Sequence, residues 1–149
     1  LPLWFDEGLA SLFESAPNPN YATRLEEATG SGETIAFTDL CYTLPADDDQ
    51  ALLAYAQSAS FISYIQSEYG NRALQQMITE LADGADCATV TERALGLSLA
   101  SLNQDWLEQE APQSYLLRIW RNGRAWLAII AAGFLLLGLL VGLPRGRSA

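Results

Sequence analysis

The chain has 149 residues, room for one domain of ordinary size. Eighteen Asp and Glu stand against eight basic residues, every one an arginine, and there is no histidine. A Ser-His or Cys-His catalytic pair and a zinc site built on histidine are therefore excluded within this chain. A first residue that is Leu1 and not Met leads us to expect a processed or incomplete piece.

Charge is unevenly distributed. All eighteen acids precede residue 111 and five of the eight arginines follow residue 117, so residues 1–117 carry −15 and the remainder +5. A body of that sign repels a phosphate backbone, which argues against a nucleic-acid partner.

In chain order the pattern predicts an all-α body over residues 1–112. Residues 3–15 read as a first helix with Pro2 at its start, where a missing N–H is tolerated. The Pro-rich turn 16–20 ends it. Residues 21–28 read as a short helix, 30–33 as a flexible stretch, and 34–45 as extended or irregular chain containing Cys41. Asp47, Asp48 and Asp49 then open a long helix, favourable both as caps and against the helix dipole, which runs to Tyr69 and stops at Gly70. Asn71 is expected to cap the next helix, which ends near Asp83 and Gly84. Residues 89–95 and 98–110 read as two further helices separated at Gly96. Helix after helix with short links is the signature of an all-α domain.

The basic end has a separate origin. Residues 125–143, AWLAIIAAGFLLLGLLVGL, carry no charged or polar side chain apart from the indole of Trp126. Nineteen such residues rise about 28 Å as a helix, close to the hydrocarbon thickness of a bilayer. Trp120 and Trp126 lie where an interfacial aromatic belt would lie, and Arg124 and Arg145 bracket the run. The expectation is one transmembrane helix, preceded by a basic juxtamembrane segment over 113–124 and followed by a short basic tail over 144–149. Within the span, Gly138 and Gly142 form a GxxxG spacing suited to a weak dimer. Orientation signals conflict. Three arginines before the span against two after it marginally favour a cytoplasmic body, whereas the acidic body and the cysteine pair favour a body outside the cell membrane.

Three features of the body bear on chemistry. At 100° per residue, Phe5, Leu9, Leu12 and Phe13 gather on one side of the first helix and Glu7 points nearly opposite Leu9. The Glu7 side also holds Leu3, Trp4, Ala10 and Ser11, so it is no ordinary solvated face, and its small residues let another element pack closely. A carboxylate buried there without a partner is costly, so a cation should meet it; the pattern alone favours a surface or salt-bridged glutamate over a ligand. Tyr55, on the long helix, shares a face with Ala51, Leu52, Ala59 and Ile62, as a plain core tyrosine does. Cys41 and Cys87, each in a connection just before a helix, match no zinc or CxxC motif. In an oxidising compartment they suit one disulfide; otherwise they are two unrelated thiols.

The segments LPLWFDEGLASLFE, LLAYAQSASFISYIQSEYGNRALQQMITELADG and ERALGLSLASLNQDW together resemble the C-terminal half of the gluzincin, or peptidase MA-like, zinc metallopeptidases. The likeness covers about residues 1–106 and is carried by W-x-x-E-G-x-A combined with the Y-x-x-S and YG elements. In that family an HExxH helix supplies two histidines and a general-base glutamate, and a glutamate on the next helix is the third zinc ligand. The resemblance implies that Glu7 is that ligand and that Tyr55 donates to the oxyanion of the tetrahedral intermediate, with Tyr64 and Tyr69 structural. Two imidazoles and one carboxylate leave a coordination position for water, which the general base deprotonates for attack on a peptide carbonyl. It also implies a peptide or protein substrate and zinc as cofactor of the complete protein. This chain departs from the pattern because it has no HExxH, so a missing N-terminal half is expected and the chain alone should be inactive. The alternative is a non-catalytic, membrane-tethered helical module that binds partners.

Overall fold

In the computed structural model, which describes residues 1–16 and 18–110, all regular structure is helical. The elements are α1 (Leu3–Leu12), α2 (Asn20–Ser31), α3 (Asp48–Tyr69), α4 (Asn71–Ala82), α5 (Val90–Leu95) and α6 (Leu99–Glu110). No helix among the described residues is long and apolar enough to cross a membrane. The run 125–143 with Gly138 and Gly142, the segment 113–124 and the tail 144–149 lie outside the described residues.

The acidic opening of α3 works as a cap. Asp47 stays extended, and its Oδ1 accepts from the N–H groups of Asp49 and Gln50, both at 3.1 Å, satisfying two of the helix's orphan donors. Three boundaries differ from expectation. α1 ends at Leu12, and Phe13, outside the last turn, is 86% exposed; it therefore leaves the apolar side that helical periodicity assigned to it. α2 continues through Gly30 and stops only where Gly32 enters the left-handed region at φ 75°, the conformation a glycine adopts without penalty. Asn71 is the first residue of α4 and not its cap. Its amide oxygen is already engaged backwards, accepting from Gln66 Nε2 at 2.8 Å.

α3 is the central element. α1, α2, α4 and α6 all touch it, and α5 joins through α4 and α6. At the centre Phe37 stacks on Phe61 with ring centroids 4.0 Å apart. Trp4 meets both rings edge-on at 5.7 and 5.4 Å, and Trp106 does the same at 5.4 and 5.8 Å. Each such pair adds about 0.5–1.5 kcal/mol beyond its buried area, and the cluster ties α1, the connection before α3, α3 and α6 into one core. The indole N–H of Trp106 donates to Ser60 Oγ at 3.0 Å, and Ser60 Oγ donates to Glu110 at 2.6 Å, so the last turn of α6 is also tied to α3.

Two polar devices set what passes over α3. Gln57, fully buried, donates to the carbonyl of Ile35 and accepts from its N–H, both at 2.9 Å. One side chain thus replaces the ladder partner that irregular chain lacks. Cys41 and Cys87, both buried, are joined in a disulfide with Cα atoms 5.8 Å apart. Closing a loop of this sequence separation of 46 removes unfolded-state entropy equivalent to about 4 kcal/mol in the chain-entropy model.

The closest helix contact is α1 on α3 at Gly8. A Cβ built there would lie 2.5 Å from the carbonyl oxygen of Ser58 and closer still to Ile62. Gly8→Ala should therefore destabilise the body by about 1–3 kcal/mol, the cost of overpacking, despite alanine's better helix propensity; urea unfolding checks it, and an unchanged or raised midpoint would contradict the contact. Gln57→Leu, which strands the half-buried N–H and C=O of Ile35, is expected to cost about 1–3 kcal/mol by the same measurement.

Candidate functional site

Glu7 lies one turn into α1, so the anchoring of that turn decides where its carboxylate goes. α1 has no side-chain cap. Its four N-terminal amides are nonetheless all paired. Leu3 N–H donates to the Cys41 carbonyl at 2.9 Å, Trp4 N–H to the Leu40 carbonyl at 3.1 Å, and Phe5 and Asp6 N–H both to the Pro2 carbonyl at 3.0 Å. Trp4, Phe5 and Gly8 are buried, Asp6 and Ala10 are exposed, and Glu7 is half-buried at the boundary between these two sides. Trp4, placed by periodicity on the Glu7 side, is thus fully buried, and the close packing expected on that side occurs at Gly8.

The ion pairs among the described residues are Arg24–Asp49 at 2.9 Å and Arg93–Glu80 at 2.8 Å. Neither involves Glu7, so no arginine of the described body supplies the cation that a half-buried carboxylate calls for. The Arg24–Asp49 pair, largely sheltered on the arginine side, instead ties the second turn of α2 to the first turn of α3.

One turn before Arg24 stands Tyr21, in the first turn of α2. Its phenol is raised above the ordinary 10, first by burial and then by the negative charge of Glu14, Tyr55 and Glu7. Those contributions place Glu7 from α1, Glu14 just beyond it, Tyr21 from α2 and Tyr55 from α3 in one electrostatic neighbourhood. Tyr55 is half-buried there. Glu7 and Tyr55, forty-eight residues apart in sequence, thus both act on the Tyr21 phenol. Sequence reasoning passed over Tyr21. Its signal was slight, an aromatic residue directly after the NPN turn that returns the chain from α1.

Tyr64 and Tyr69 belong elsewhere. Tyr64 is buried, lies 6.3 Å from Phe61 in a stacked arrangement, and meets Tyr69 edge-on at 6.3 Å. Its phenol is pushed up to about 12, by burial first and then by the Tyr69 hydroxyl.

Among the described residues no group of three His, Cys, Asp or Glu side chains is placed to hold a metal ion. Glu7 supplies one oxygen donor, and a zinc site needs three protein ligands even when catalytic. The described residues by themselves thus do not fit zinc. Cys41 and Cys87 are engaged with each other in the disulfide.

A family model described as the Peptidase MA superfamily matches residues 1–110. No curated protein and no solved structure matches the chain.

The Tyr64 phenol titrates higher in the folded than in the unfolded chain, so folding favours its protonated form. Its contribution is complete below pH 10 and is lost as pH rises from 10 towards about 12. Denaturant unfolding across that interval should show stability falling with pH, and falling less steeply in Tyr64→Phe. Identical slopes would assign the loss to other groups.

Proposed function

The chain belongs to the Peptidase MA superfamily, and we propose that within it the chain is the C-terminal portion of a membrane-anchored zinc metallopeptidase that hydrolyses peptide bonds. The observation that carries this reading is the superfamily match over residues 1–110, which takes in both Glu7 and Tyr55. Glu7 is a half-buried carboxylate with no arginine partner among the described residues, and Tyr55 is half-buried on α3, the helix against which α1 packs. Superfamily members are generally zinc-dependent. Glu7 would be one ligand of that metal, and the other ligands and the general base would come from an HExxH segment outside these 149 residues. Tyr55 carries a phenolic O–H, a donor of the kind suited to hydrogen bonding to the oxygen on which negative charge develops as a peptide carbonyl is attacked. No hydrolytic step is assigned to the 149 residues alone.

The apolar run 125–143 supports the anchor. The Cys41–Cys87 disulfide supports a body on the oxidising, outer side of the membrane, with the short basic tail inside. Protease digestion of intact cells that left Phe5-containing peptides protected would overturn that orientation.

The ligand assignment is tested in the protein that carries the HExxH segment. Glu7→Gln is expected to lower zinc content and to reduce peptide hydrolysis by at least a hundredfold, with the helical circular dichroism retained. Full zinc stoichiometry and full activity would refute it. The 149-residue chain with added zinc should not hydrolyse peptides. A coding sequence with no HExxH upstream of Leu1 would replace the peptidase reading with that of a tethered binding module.

A further inference from the structure

The first two amides of α1 depend on the carbonyls of Cys41 and Leu40. Those two residues lie in the connection between α2 and α3, which is built of turns around residues 37–42 and held by the burial of Phe37 and Leu40 and by the bond from Cys41 to Cys87. From the other sulfur the contact returns to α1, because the indole N–H of Trp4 donates to Cys87 Sγ at 3.2 Å. α1 is thus held to the bridge twice, through backbone beside one sulfur and through a buried indole against the other. Glu7 follows Trp4 by three residues, about 4.5 Å along the helix axis, and a one-residue change of helix register would swing its side chain by about 100°.

We propose that the Cys41–Cys87 bridge is a positioning element for Glu7, fixing the entry and register of α1 so that the carboxylate keeps its presentation to a metal only while the bridge is closed. The proposal rests on the reading of Glu7 as a metal ligand. Cys87, though buried, borders an open cavity of about 460 Å³ together with Pro2, Tyr42, Ile78, Leu81 and Asp86, so the bridge lies just beneath the surface beside the entry of α1.

Amide hydrogen exchange in the full chain, oxidised, reduced with a phosphine, and as the Cys41→Ala/Cys87→Ala double variant, tests the coupling without any metal. Exchange at residues 3–8 is expected to rise at least tenfold, with less than a twofold change over 71–82 and 99–110. A uniform rise through all the helices would make the bridge a general staple and overturn the proposal, as would no rise at 3–8. If the double variant does not fold, Trp4→Phe with the bridge intact removes the indole N–H donor along with part of the core packing of Trp4, and exchange at residues 3–8 should rise about threefold more than over 99–110. In the complete zinc-loaded protein, reduction should weaken zinc binding about tenfold. Zinc lost in Glu7→Gln yet indifferent to reduction overturns the positioning role and leaves the peptidase reading standing; zinc retained in Glu7→Gln removes that reading whatever the exchange shows.

Discussion

Everything near the candidate site depends on how closely α1 approaches α3. At Gly8 there is no room for a methyl group between the helix and the Ser58 carbonyl, and the residues that lead up to that contact do different work. Trp4 and Phe5 fill the aromatic core, while Glu7 stands at the edge of the buried strip. Close approach of helix axes demands small side chains at the crossing, and the glycine next to Glu7 meets that demand. The same backbone that brings the helices together thereby fixes where the carboxylate stands relative to α3.

The electrostatics follow from this placement. The body holds all eighteen acids of the chain and only three of its arginines, and two of those three are spent on Asp49 and Glu80. Glu7 is left half-buried with no arginine partner among the described residues, and among those residues no group of three His, Cys, Asp or Glu side chains is placed to hold a metal ion.

Much of the helical architecture was legible because its punctuation is local. Asp47 to Asp49 before an apolar-periodic run, Gly70 after it and Gly96 between two short helices act through backbone geometry and caps that involve only near neighbours. Misplacements occurred where a local rule met a tertiary one. Phe13 has the right spacing for the apolar side of α1, but the helix ends one residue earlier. Gly30 reads as a breaker, yet it is carried inside α2 because Gly32 offers a better left-handed stop. Asn71 reads as a cap, and its amide is bound instead to Gln66.

By itself the sequence determined the all-helical class, the division into an acidic body and a basic-flanked apolar run, the absence of any histidine ligand, and the motif in which Glu7 and Tyr55 stand. These are matters of composition, periodicity and short spacing. Only the tertiary structure decided that Tyr21 stands where Glu7 and Tyr55 both act on it, that the amides of α1 are capped by the chain around Cys41 rather than by a side chain, and that Gln57 bonds twice to Ile35. The pairing of Cys41 with Cys87 is the one disulfide that two cysteines allow, and the sequence already offers it. The other contacts join separate segments of the chain, and no local pattern specifies which distant backbone group will meet a given donor.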